Sequence, residues 1–122
     1  MSPSGPVISQ VKGVTVVGLP NVSIDDTPVV DSLGSELYAL VDQQARRKII
    51  LDFTAVRYFP TPMVTVLLKL QKKARAIDGR IILCGLHAKI RELFKVMQLD
   101  RILEFAADER EALEKLGILG VS

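Results

Sequence analysis

Between Ile49 and Lys73 the hydrophobic period of the chain changes once, across a single short turn. That switch restricts the fold more than any other feature. Ile49 to Phe53 is a brief, mostly apolar run of the kind buried on both faces of a sheet. From Met63 the apolar residues recur at 63, 67, 70, 74 and 77, one stripe at helical spacing. Between the two lies Phe59-Pro60-Thr61-Pro62, with Thr61 at the expected N-cap and Pro62 at the expected first helical position. A strand feeding a helix in this way is the repeating unit of an α/β layer. A hydroxyl at such a helix start also sits where free N–H groups and the helix dipole favour an added negative charge. Thr61 is therefore the first candidate functional residue.

The flanking sequence repeats the alternation. Val7–Val11 and Val14–Leu19 are β-rich runs separated by Lys12-Gly13, which predicts a tight hairpin. A polar loop is expected over Pro20–Asp26. Thr27-Pro28 then opens a helix to about Gln44, with Val30, Leu33, Leu37, Leu40 and Val41 as its buried face. The second helix ends at about Ile77, before Asp78-Gly79. Arg80–Cys84 is the next strand, and a helix from Ala88 to Met97 follows, with Ile90, Leu93, Phe94 and Met97 as its apolar stripe. A short strand falls within Leu99–Phe105, and Asp108-Glu109 opens a last helix through Leu116. The order β-β-α-β-α-β-α-β-α predicts a single α/β domain over 7–117, built on a mixed, largely parallel sheet. Residues 1–6 are expected to be a flexible lead-in and 118–122 a tail.

Composition narrows the function classes. Of 122 residues, 48% are hydrophobic and 25% charged, which suits a soluble globular domain with a core of its own. A net charge of +2, 5% aromatic residues and no Trp argue against a nucleic-acid binder. No apolar run approaches the roughly 18 residues of a membrane span, and no basic-then-apolar leader opens the chain. The cytoplasm is the expected compartment. One cysteine, Cys84, supports neither a disulfide framework nor a metal cluster. Gly117 and Gly120 follow the last helix rather than open one, so no phosphate-cradling loop is present.

Three stretches together resemble the STAS domain of bacterial anti-sigma factor antagonists. The first is Ile50-Leu51-Asp52-Phe53-Thr54-Ala55-Val56, then Arg57 to Met63, then Val66-Leu67-Leu68. The second is Gly79-Arg80-Ile81-Ile82-Leu83-Cys84-Gly85-Leu86. The third is Ile90-Arg91-Glu92-Leu93-Phe94 with Gln98-Leu99-Asp100-Arg101-Ile102-Leu103, closing on Glu111-Ala112-Leu113. The resemblance covers about Val7 to Gly117. It implies helices mainly on one face of the sheet and a regulatory protein-binding role, in which partner switching controls transcription. It further implies a kinase-type anti-sigma factor as partner, which would bring ATP and Mg²⁺, so the chain itself needs no cofactor. In phosphorylated members an Asp-Ser-Ser/Thr-Gly pattern precedes the second helix, and its first hydroxyl accepts phosphate. Here Pro60, Thr61, Pro62 and Met63 occupy those positions, so only the hydroxyl of Thr61 is kept.

The departures have physical consequences. Pro60 removes a carboxylate, Pro62 lacks an N–H that a phosphate would use, and Met63 replaces glycine with a flexible apolar side chain. Thr61 is then either a phosphoacceptor, a helix cap for Met63 or Val64, or both. Phe59, Pro60, Thr61, Pro62 and Met63 shape the expected partner contact, with core packing the alternative for Phe59 and Met63. If Thr61 is not modified, the domain is a constitutive scaffold or regulatory subunit of a stress-sensing or transporter-associated assembly. Lys69, Lys72, Lys73 and Arg80 form a solvated face or attract an acidic partner or anionic lipid. Cys84 and His87 are the one thiol–imidazole pair; a thiol enzyme is the remaining alternative, against a small buried cysteine. The N-terminal hairpin leaves an edge strand that could pair between copies in a weak homo-oligomer.

Overall fold

The computed structural model describes residues 6–21 and 27–118. All but Pro6 of the expected lead-in, all but Ile118 of the expected tail, and most of the loop expected over 20–26 lie outside those residues. Lys12 and Gly13 both take positive φ (48° and 85°), the backbone of a type I′ turn. They join β1 (Val7–Val11) to β2 (Val14–Gly18) in antiparallel register, with Val11 opposite Val14. Then follow α1 (Thr27–Asp42), β3 (Lys48–Asp52), α2 (Thr61–Ala76), β4 (Arg80–Cys84) and α3 (Ala88–Val96). A 3₁₀ turn (Leu99–Arg101), β5 (Glu104–Ala106) and α4 (Glu109–Lys115) complete the chain. The strands lie in the order β1-β2-β3-β4-β5, antiparallel at the first pairing and parallel at the rest. The expected mixed sheet is present.

Strand alternation divides the interior into two layers. Val17, Ile49, Leu51, Ile81 and Leu83 point to the face covered by α1, α2 and α3, where Leu37, Leu67, Leu70 and Phe94 meet them. Val14, Val16, Ile50, Ile82 and Cys84 point to the opposite face, covered by Ala112, Leu113 and Leu116 of the α4 region. Three helices on one face and one on the other match the expected placement. The predicted buried face of α1 is all internal: Val30, Leu33, Leu37, Leu40 and Val41.

Strand ends differ from the sequence reading by one residue, yet the backbone pairing runs on: Leu19 N–H donates to the Asp52 carbonyl and Phe53 N–H to that of Cys84. Asp78, at positive φ, and Gly79 end α2. A Cβ on Gly79 would lie 2.9 Å from the Arg47 carbonyl oxygen, so the chain needs glycine there. The stripe expected for α3 is only half internal. Ile90 and Phe94 are buried, but Leu93 and Met97 are 38% and 39% exposed. The helix has nine residues and centres Ile90 and Phe94 on the core; Leu93 falls on its flank and Met97 beyond its last turn.

Candidate functional site

The segment between β3 and α2 carries the sequence-predicted site, and side chains from four directions hold it. Beneath, Phe59 is buried, its ring 5.3 Å from that of Phe53 and 5.4 Å from that of Phe94. Phe94 in turn meets Phe105 at 6.1 Å. At the entry, Asp52 Oδ1 accepts from the Thr54 N–H (2.9 Å) and from the Thr54 hydroxyl (2.5 Å). From the β4–α3 connection, the imidazole of His87 donates through Nε2 to the Thr54 carbonyl at 2.9 Å. From the loop after β2, Asn21 Oδ1 accepts from the N–H groups of Arg57 (2.9 Å) and Tyr58 (3.0 Å). Gly85, in the same connection as His87, takes φ +71°, and a Cβ there would sit 2.7 Å from Thr54 Oγ1.

This clamp fixes the start of α2, and it corrects one expectation. The N-cap is Pro60, in extended backbone (φ −70°, ψ 150°) and without a side-chain cap bond; Thr61 is the first helical residue. Proline tolerates the cap position because it has no N–H to satisfy; Pro62 by itself would favour extended backbone at Thr61, so Thr61 enters the helix against that local preference. The Thr61 hydroxyl therefore does not cap Met63 or Val64. It is exposed at the surface, as is Pro62, while Phe59, Pro60 and Met63 are buried. Of the five residues expected to shape a contact, two face outward and three set their position from below.

The same geometry leaves few backbone donors at the helix start. Pro62 has none, and the Met63 N–H is engaged by the Pro60 carbonyl at 2.9 Å. The Thr61 N–H is left to meet an anion. A phosphate on Thr61 would gain little neutralisation from the helix and would remain a projecting charge of about −1.5 to −2.

Beside Pro62 a groove of about 470 Å³ runs between α1 and α2. Val30, Gly34 and Val66 line its floor, and Asp31, Thr65 and Lys69 stand along it. Gly34 lets α1 and α2 approach closely there: a Cβ on it would lie 3.3 Å from Val66 Cγ2.

The candidate basic face is partly used by the fold. Lys73 pairs with Asp42 at 2.8 Å and stands over the Tyr38 ring, and Arg80 holds Glu104 with two bonds (3.1 and 2.7 Å) and the Lys115 carbonyl with a third. The hydrogen bonds from Arg80 hold the Glu104 carboxyl below the usual carboxylate range. Lys69, Lys72 and Arg75 remain exposed on α2. Cys84 is buried against α4, and burial, with Asp52 nearby, pushes its thiol up to about 12. His87 spends its ring nitrogen on Thr54 rather than on that thiol. A cysteine nucleophile needs a depressed pKa and a base within hydrogen-bond reach, and neither condition is met.

Asn21, Asp52, Gly85 and His87 were not singled out as parts of this site by sequence reasoning. Asn21 and Arg57 are 36 positions apart, so no local pattern joins them. Asp52 and Thr54 do carry a local signal, a carboxylate two residues before a hydroxyl, which often closes a turn.

Residues 8–112 match the family model of the STAS domain. The chain belongs to the STAS domain family. Over 82 residues it is 33% identical to BtrV of Bordetella bronchiseptica, named as a candidate anti-sigma factor antagonist, covering 67% of this chain and 69% of that protein. The anti-sigma factor antagonist STAS domain protein of Planctomyces limnophilus superposes with a TM-score of 0.81 at 21% identity, covering 93% of this chain and 98% of that one. The Bacillus cell fate determinant SpoIIAA, in its phosphorylated form, superposes with a TM-score of 0.69 at 20% identity, covering 91% and 98%. These STAS structures share the fold of the present chain. No helix among its described residues is long and apolar enough to cross a membrane.

Proposed function

We propose that this STAS domain is a regulatory binding module of the anti-sigma factor antagonist type, working by partner switching rather than by catalysis. The observation that carries the reading is the Thr61 hydroxyl. It stands exposed at the first residue of α2, on a turn clamped by Phe59, Asp52, Asn21 and His87, next to an open groove between α1 and α2. A clamped surface of this kind is a ready platform for a protein partner, because little ordering is required on binding. The partner is a kinase-type anti-sigma factor that brings its own ATP and Mg²⁺, and Thr61 is the phosphoacceptor. Phosphate there would act by repulsion and desolvation at the interface, since the helix start has only the Thr61 N–H to offer it.

Pro60 and Pro62 favour a second reading, in which the turn is too stiff for a kinase cleft and the domain is a constitutive scaffold. Intact-mass measurement after incubation with ATP and cognate kinases separates the two, run on the wild type and Thr61→Ala. Phosphate gained by the wild type alone supports the switch. Stable binding to an active kinase with no mass gain supports the scaffold and overturns the phosphoacceptor role.

A further inference from the structure

The two edges of the sheet are finished differently. At the β5 edge, Lys115 Nζ donates to the Phe105 carbonyl (2.6 Å), Glu111 Oε1 accepts from the Ala107 N–H (2.8 Å), and Arg91 lies over the Phe105 ring. Side chains thus cover that short strand. At the other edge, β1 pairs among the described residues with β2 alone, and Val7 and Ile8 are 73% and 43% exposed. Protective devices on edge strands include charges, proline and bulges. Val-Ile-Ser-Gln-Val contains none of them, and its register with β2 is unbroken.

The hairpin register determines which backbone groups face outward. Val11 and Val14 flank a two-residue turn and exchange both their backbone bonds, so Ser9 and Val7 also point toward β2. The N–H and C=O groups of Ile8 and Gln10 point away from the sheet. An antiparallel copy of the strand, related by a two-fold axis at Ser9, sets Ile8 of each copy opposite Gln10 of the other. Each such pair then exchanges both its bonds, so every outward group between Val7 and Val11 is satisfied. Val7 of one copy falls beside Val11 of the other on the α4 face. The two Lys12 side chains, which adjoin the strand, would stand at opposite ends of the ribbon, about 20 Å apart and well beyond the screening length.

We propose that two copies of this chain associate through β1 as an antiparallel pair centred on Ser9, so that two five-stranded sheets run on as one. The assembly closes as a dimer, because β5 is covered. It does not depend on the function proposed for Thr61.

The test combines sedimentation velocity with single-cysteine cross-linking of the full chain. Wild-type protein is expected to shift from monomer to dimer between micromolar and millimolar concentration. Ile8→Lys should weaken the dimer about ten-fold or more while leaving the circular dichroism spectrum intact, since each substitution counts twice across a two-fold axis. Ser9→Cys places two thiols on the axis, in a pair with Cα atoms about 4.5 Å apart, within disulfide reach. Gln10→Cys places them on a diagonal of about 7–8 Å, beyond it. Native Cys84 is buried and does not compete. Rapid oxidation to dimer for Ser9→Cys and at least ten-fold slower oxidation for Gln10→Cys would support this register. Equal rates for both, or a wild type that stays monomeric throughout, would overturn the proposal.

Discussion

Phe59 links the stability of the domain to the presentation of Thr61, and Phe59→Ala tests that link. The ring is only 6% exposed and packs at centroid distances of 5.3 Å on Phe53 and 5.4 Å on Phe94. Truncation removes its transfer free energy and leaves a cavity, together about 3–5 kcal/mol for a buried phenylalanine. The two ring pairs account for about 1–3 kcal/mol of that sum. A domain of this size has a total stability of about 5–15 kcal/mol, so the variant should still fold, at a clearly lower urea midpoint and an unchanged slope. Because Phe94 meets both other rings, Phe59→Ala and Phe94→Ala should not add; the double mutant should fall short of the sum by about 0.5–1.5 kcal/mol. Partner binding should weaken at temperatures where the variant remains folded, although Phe59 itself is not at the surface. A stability loss below about 1 kcal/mol, or full additivity with Phe94→Ala, would refute the claim that this aromatic cluster supports the turn.

Thr61→Ala should change stability by less than about 0.5 kcal/mol, because the hydroxyl makes no cap bond. Asp108→Ala should cost about 1 kcal/mol, because Asp108 Oδ1 caps α4 by accepting from the Glu111 N–H at 2.9 Å; denaturation of both variants checks the contrast. Gly85→Ala should cost about 2 kcal/mol or more, since it forces a side chain into φ +71° and brings a Cβ within 2.9 Å of Asp52 Oδ1 as well as against Thr54. A midpoint like that of the wild type would show that the Thr54 clamp yields freely. Cys84 should resist thiol reagents at pH 8 until the chain is unfolded, as its thiol lies near 12 instead of 9.0. The unfolded thiol loses its proton first as pH rises, so this contribution to stability is complete below pH 9 and declines from there to 12. Cys84→Ala should flatten that alkaline decline in a pH series of unfolding curves.

The local pattern of the chain determined most of its architecture. The β-rich run over Val14–Leu19, period 3.6 from Met63, positive-φ signals at Lys12-Gly13 and proline at the helix starts are each satisfied by neighbouring backbone, and each reappears in the fold. Thr61 was legible as a hydroxyl at a helix start, but its placement one residue inside the helix depended on whether Pro60 or Thr61 turned the chain. In the fold it is Pro60 that turns, directly after Phe59, whose ring packs against Phe53 and Phe94. Tertiary structure also decided which apolar residues are surplus: Leu93 fits the helical stripe as well as Phe94 does, but only Phe94 lies over the sheet. The clamp on the site was least visible, because Asn21, Gly85 and His87 reach Thr54, Arg57 and Tyr58 across more than thirty residues of chain. Sequence periodicity records how a segment meets an average core. Which distant polar group satisfies a given backbone N–H or C=O is settled only when parallel strands bring their ends side by side.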